Sequence, residues 1–335
     1  MELRKLGKTD VYVTPMAFGA WAIGGWMWGG AEELDAIKAI QAAFRAGITT
    51  IDTAPVYGFG RSEELIAKAM KGTGRDQYQI LTKFGMNWET EQGEYFFDSA
   101  DNDGKPLRIY KWASKEKVMK ECEDSLRRLQ TDYIDLYQIH WPDNTTPIAE
   151  TFEAVQRLIE QGKVRAAGVC NYDVEKVSQA LRTIQLASNQ APYSMINREI
   201  EKSVVPQAVE QGMGIIAYSP LQRGLLTGKI QAGHQFNEGD SRESNRFYTA
   251  ENIRRTNALL QEIHPIASEH GATLAQVVIN WTTRQPGIAC TLVGARNEAQ
   301  VADNAKALSF NLSPEELERI TAAANRFTLA EAKTV

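Results

Sequence analysis

Eight short runs of strand-forming residues, separated mostly by amphipathic helical stretches, constrain the fold of this chain more than any other feature. The runs are residues 16–19, 49–52, 79–83, 134–140, 166–170, 186–190, 214–218 and 290–293. Between them, residues 115–129 set Val118, Cys122, Leu126 and Leu129 on one stripe, the spacing of a helix with a single apolar face. Residues 148–161 repeat the pattern with Phe152, Val155, Leu158 and Ile159 and stop at Gly162. Residues 173–183 carry Val174, Val177 and Leu181 behind Asp173, a candidate N-cap. Short strand–helix–strand links favour parallel strands. Eight of them close a barrel better than they fill an open sheet that has no dinucleotide fingerprint. The predicted class is therefore α/β, a (β/α)8 TIM barrel. Residues 3–6 and 11–13, flanking a turn at 7–10, predict an N-terminal β-hairpin. Residues 297–308 and 313–325 predict extra C-terminal helices, the second opened by Ser313, Pro314 and Glu316. The tail at 329–335 reads as loose, and residues 1–335 as a single domain.

Composition excludes several function classes. A net charge of -5 with no basic block argues against nucleic acid or anionic membranes as partners. The three cysteines, Cys122, Cys170 and Cys290, are scattered, so neither a disulfide framework nor a metal spacing is implied. The four histidines likewise show no ligand spacing, and no metal is expected. The stretch GFGRSE at 58–63 begins like a dinucleotide fingerprint but carries Glu63 where the third Gly belongs. The N-terminus lacks an apolar leader, and no run reaches membrane-spanning length, which reads as a cytoplasmic protein.

Four polar residues lie at or just beyond strand ends: Asp52 in IDTAPVYG, Tyr57 five residues on, Lys83 in ILTKFG, and His140 in DLYQIHWPD. In a parallel barrel such ends share one rim, where active sites are built. Carbonyl reduction needs a hydride donor and a proton for the developing alkoxide. Tyr57 has a suitable proton, and a neighbouring Lys83 ammonium would lower its pKa from about 10 toward neutrality. Asp52 would hold that ammonium, and His140 would direct the substrate oxygen. Two long polar stretches, 86–112 and 219–249, follow strands and read as loops overhanging the same rim.

The chain resembles the aldo-keto reductases. The likeness rests on FGAWAIGG, ITTIDTAPVYGFGRSEELI, ILTKFG, DSLRRLQTDYIDLYQIHWPD, GKVRAAGVCNY, NQAPYSMINREIE, GIIAYSPLQRGLLTGK and LVGARNEAQVADN, in that order. It implies a barrel whose bottom is capped by the hairpin, and reversible NAD(P)H-dependent reduction of aldehydes or ketones. Asp52, Tyr57, Lys83 and His140 match the family tetrad, with Tyr57 as general acid/base. The resemblance also implies a cofactor site. Gly19, Ala20 and Trp21 flank the nicotinamide end, with Ala20 in place of the family's Thr. Asn171 and Gln190 match the carboxamide-binding pair, next to Cys170 where Ser is usual. Tyr218 matches the platform under the ring. Ser219, Pro220, Leu221, Arg223 and Lys229 match the pyrophosphate loop. Gly294, Arg296, Gln300, Asp303 and Asn304 match the adenosine end, and Arg242 is placed there too. Arg296, with a guanidinium suited to a 2′-phosphate, favours NADP(H) over NAD(H).

Trp21, Trp26, Trp28, Trp88, Trp112 and Trp141 lie in or beside rim loops. Trp21, Trp88 and Trp141 join Tyr57 and His140 as candidate substrate contacts. A wall of such rings favours planar or apolar carbonyls, or stacks against sugars. The expected partner is a small-molecule carbonyl or alcohol, and the expected state a monomer or weak homo-oligomer. Two other readings stand beside the reductase: a nicotinamide-binding regulatory subunit of the potassium-channel β type, and a barrel hydrolase or lyase using Asp52 and His140.

Overall fold

A computed structural model describes the whole chain except Gly29, Ala31, residues 237–241, Ser244 and residues 331–335. Most of the expected C-terminal tail and part of the stretch 219–249 therefore lie outside the described residues. A two-stranded hairpin, β1 (Arg4–Lys5) and β2 (Tyr12–Val13), opens the chain. Barrel strands β3 (Met16–Gly19), β4 (Thr50–Asp52) and β5 (Gln79–Phe84) follow, with α1 (Glu33–Arg45) and α2 (Arg61–Ala69) between them. An inserted three-stranded antiparallel sheet comes next: β6 (Met86–Asn87), β7 (Glu94–Ala100) and β8 (Pro106–Lys111). The alternation then resumes with α3 (Lys115–Leu129), β9 (Ile134–Ile139), α4 (Ile148–Glu160), β10 (Val164–Cys170), α5 (Val174–Ala180) and β11 (Leu186–Pro192). It ends with α6 (Val204–Gln211), β12 (Gly214–Tyr218), α7 (Ala250–Glu269), α8 (Leu274–Thr283), β13 (Ile288–Gly294), α9 (Glu298–Ala305) and α10 (Pro314–Arg326).

The eight expected strands form a closed parallel barrel, in the order β3, β4, β5, β9, β10, β11, β12, β13 and back to β3. The N-terminal hairpin plugs its lower mouth. Leu6, Val11 and Val13 bury against Leu81, Leu136, Ala166 and Ile216 inside the barrel. Gly7, at φ +61°, presses so close that a Cβ would stand 2.6 Å from the Ala187 carbonyl oxygen. The expected caps are present. Asp173 Oδ1 accepts the Lys176 N–H at 2.8 Å, and Ser313 with Glu316 forms a reciprocal capping box.

The stretch 86–112 departs from expectation. It is not an open loop but the β6–β8 sheet. Its two ends meet where the Trp112 N–H donates to the Gly85 carbonyl at 3.1 Å. Glu121 Oε2 accepts the Gly85 N–H at 2.7 Å, and Asp143 Oδ2 accepts the Ala113 N–H at 2.9 Å, which fixes both ends to the barrel.

Candidate active site

Asp52, Lys83 and Gln190 sit at the upper ends of β4, β5 and β11, and each is almost fully buried. The Lys83 ammonium donates to Asp52 Oδ1 at 2.6 Å, to the Thr53 carbonyl at 2.8 Å and to Tyr57 Oη at 3.2 Å. Three protons meet three acceptors, so the charged amine is fully satisfied. Asp52 Oδ2 accepts from Gln190 Nε2 at 2.8 Å, and Gln138 Nε2 approaches it at 3.5 Å. Tyr57 Oη also lies 3.5 Å from His140 Nε2. Lys83 and His140 thus converge on the Tyr57 phenolic oxygen at the barrel's upper rim, with Asp52 behind the ammonium.

The electrostatics differ from expectation at one point. Burial pushes the Tyr57 phenol up to about 12, while Lys83 pulls the other way. The lowering toward neutrality does not emerge, because desolvation of a phenolate outweighs the nearby cation. Burial also disfavours the Lys83 ammonium, but Asp52 together with Tyr57 and Cys170 outweighs it and raises the amine above its ordinary value. Burial and repulsion by Lys83 hold His140 well below its ordinary value, so its ring is neutral near pH 7. The resting group is a neutral phenol that a cation is placed to relieve of its negative charge once the proton leaves.

A cleft of about 590 Å³ opens above these groups. Tyr57, His140 and Asp52 line it, as do Gly19, Trp21, Asn171, Gln190 and Tyr218. Asn171 takes a left-handed conformation (φ 59°). Its Nδ2 donates to the His140 carbonyl at 3.2 Å, and its Oδ1 accepts from Tyr218 Oη at 2.9 Å. Ser219, Pro220, Leu221, Arg223 and Lys229 continue one side. Gly294, Arg296, Gln300, Asp303 and Asn304 form the far end, where α9 begins. There Gln300 Oε1 accepts the Arg296 N–H at 2.8 Å, and Gln276 Nε2 donates to Asp303 Oδ1 at 2.7 Å.

Four expected contacts are placed elsewhere. Ala20 is fully buried behind the cleft wall, its N–H bonded to the Asp52 carbonyl at 2.8 Å. Cys170 is buried inside the barrel, with Sγ 3.9 Å from Gln138 Oε1. Arg242 donates to the Arg223 carbonyl at 3.3 Å and lies over the Phe236 ring, and it is not among the cleft-lining residues. Trp88 packs edge-on against Phe59, 5.4 Å between ring centres, outside the cleft. Trp141 does line it. So do Trp26 and Trp28, whose sequence positions place them only beside the rim, and Met27, Met86, Phe96 and Phe97, which no sequence signal marks. The position of 86–112 after β5 pointed to the rim, but not to which of its rings turn inward. Among the described residues, the indole N–H groups of Trp21 and Trp28 have no hydrogen-bond partner. Among the described residues no cluster of three His, Cys, Asp or Glu could hold a metal ion, and no helix is long and apolar enough to cross a membrane.

The family model for the aldo/keto reductases matches residues 15–325. The chain belongs to the aldo/keto reductase family. This aldo/keto reductase is 36% identical over 318 residues to Aldo-keto reductase YhdN of Bacillus subtilis (strain 168), covering 94% of this chain and 91% of that one. It is 36% identical over 315 residues to the NADH-specific methylglyoxal reductase of Escherichia coli (strain K12), covering 92% and 94%. In structure it is similar to the glycerol dehydrogenase AKR11B4 from Gluconobacter oxydans, with a TM-score of 0.87 and 33% identity over 99% of this chain and 98% of that one. Membership makes the aldo/keto reductase an oxidoreductase of a nicotinamide-using family, and the hydrolase or lyase reading is set aside.

Proposed function

We propose that this chain reversibly reduces an aldehyde or ketone to an alcohol with NADP(H), Tyr57 acting as general acid in reduction and general base in oxidation. The observation that carries this reading is the convergence of Lys83 Nζ and His140 Nε2 on Tyr57 Oη at the cleft wall. The cleft fits a dinucleotide. Amides of Asn171 and Gln190 and the Tyr218 ring stand beside the tetrad, and Arg223, Lys229 and Arg296 follow along its length. Those cations suit phosphates, and Arg296 suits a 2′-phosphate. When bound, the reduced nicotinamide supplies the hydride that reaches the carbonyl carbon.

The protein's own groups do the rest. The neutral His140 ring positions the substrate oxygen. Tyr57 gives that oxygen its proton, the Lys83 ammonium stabilises the phenolate left behind, and Asp52 keeps the ammonium in place. Replacing Tyr57 by Phe removes the hydroxyl, and with it the transferable proton and one acceptor of the Lys83 ammonium, while the ring stays. Steady-state assays should show carbonyl reduction reduced to background, while NADPH quenching of tryptophan fluorescence gives a nearly unchanged Kd. Loss of binding with retained turnover would overturn the role given to Tyr57. Parallel titration with NADH tests the coenzyme preference. NADPH binding with no turnover on any carbonyl would favour the regulatory-subunit reading instead.

A further inference from the structure

We infer that the sheet inserted after β5 is the substrate-selecting wall of the cleft, built for a carbonyl compound bearing a large apolar or aromatic group. The inference deepens the proposed reductase function and rests on it. In a regular strand, consecutive side chains face opposite sides. Along β7 the register slips: Tyr95 pairs with Tyr110 and Phe97 with Ile109, which leaves Phe96 as the extra residue of a β-bulge. Bulges beside active sites re-aim side chains. Here two consecutive rings, Phe96 and Phe97, both line the cleft. Phe96 meets Trp141 with ring centres 5.3 Å apart, and Phe97 stacks on Trp26 at 6.2 Å with an interplanar angle of 15°. Trp26 in turn is held to the insert, its Nε1 donating to Ser99 Oγ at 2.9 Å. Across the cleft, Trp21 stacks on Tyr57 at 6.1 Å, so the wall closes around the proton donor.

The chemistry of this wall selects against hydroxyl-rich substrates. The described side chains on this side of the cleft, Met86, Phe96 and Phe97 of the sheet with Trp26 and Trp141 packed on them, include no carboxylate and no amide, and the sheet's own Asn87, Glu94 and Asp98 are not among the cleft-lining residues. The indole N–H groups of Trp21 and Trp28 are buried, so they offer a hydroxyl oxygen no donor at the cleft surface. A polyol bound there would leave water hydrogen bonds unreplaced, whereas a ring or branched alkyl group would bury apolar surface against apolar surface. The opposite half of the cleft is the polar and cationic one, and the proposed function assigns it to the coenzyme.

Paired substrates test this. Initial rates with saturating NADPH should give hydrocinnamaldehyde a kcat/KM at least about tenfold above that of glyceraldehyde, the scale on which an apolar pocket discriminates. In Phe96→Ala and Phe97→Ala, the ratio of the two kcat/KM values should fall by about tenfold, while Phe96→Leu keeps most of it. Thermal melts by circular dichroism check that each variant folds. Equal or better use of glyceraldehyde by the wild type, or an unchanged ratio in both alanine variants, overturns the inference. A separate readout keeps it distinct from the reductase reading: tryptophan-fluorescence titration of the NADP⁺-saturated protein with hydrocinnamyl alcohol and with glycerol. If no aldehyde is reduced, the reductase reading fails. Preferential, Phe96-dependent binding of hydrocinnamyl alcohol would still support the wall, and its absence would sink it.

Discussion

Burial resists the Tyr57 phenolate more strongly than the Lys83 ammonium favours it, so the phenol keeps its proton across the neutral range. This sets the pH dependence of the proposed reaction. A group pushed up to about 12 is in its donor form below that value, so the rate of carbonyl reduction should be flat from pH 6 to 9. Alcohol oxidation needs the phenolate, and its rate should climb with pH over the same range. Initial rates in both directions at saturating coenzyme would show this. A reduction rate that falls through pH 7–8 would contradict it. The identities of the four residues were legible in the sequence because each closes or follows a strand-like run. The direction of the Tyr57 shift was not, because it depends on walls contributed by residues as distant as Trp21 and Cys170.

At the level of elements, the segment carrying Trp21 and the turn carrying Tyr57 behave as one piece. A Cβ on Gly24 would stand 2.4 Å from the Tyr57 carbonyl oxygen, and one on Gly58 would stand 2.2 Å from the Gly24 oxygen. Asn102, from the β7–β8 turn, donates to that same Gly24 oxygen at 3.1 Å. Gly24→Ala must therefore push the two backbones apart and shift the phenol. Misplacement of about 1 Å can cost roughly a hundredfold, so a ten- to hundredfold drop in kcat is expected with NADPH affinity largely kept. Stopped-flow and equilibrium titration separate the two. The barrel strands were readable because burial on both faces makes them continuous apolar runs, such as GIIAY in β12. The insert was not. Its adjacent Phe96 and Phe97 break the period of two that marks a strand, and its Gly, Asp and Asn residues read as loop. The bulge that hides β7 in the sequence is also what turns its rings inward.

For the molecule as a whole, α3 links barrel stability to pH through Glu121. Burial pushes this carboxyl up to about 7, with Lys117 and the Gly85 N–H pulling it down and Glu89, on the insert, pushing the same way as burial. The folded value exceeds the ordinary 4.5, so folding takes up a proton between those limits. The stability present below pH 4.5 is then lost as pH rises toward 7, by an amount on the order of 3 kcal/mol. Glu121→Gln keeps an acceptor for Gly85 and removes the titration. Its Tm relative to wild type should rise by several degrees between pH 5 and 8, whereas parallel curves would show that Glu121 does not titrate there. Gly85 and Trp112 are joined by a hydrogen bond although 26 residues intervene. A chain that passed straight from one to the other would keep every barrel strand, although Lys117 on α3 would lose its 3.0 Å partner Glu89. Grafts or excisions at that seam are expected to alter what the cleft accepts while the eight barrel strands, none of which lies within 86–111, stay paired.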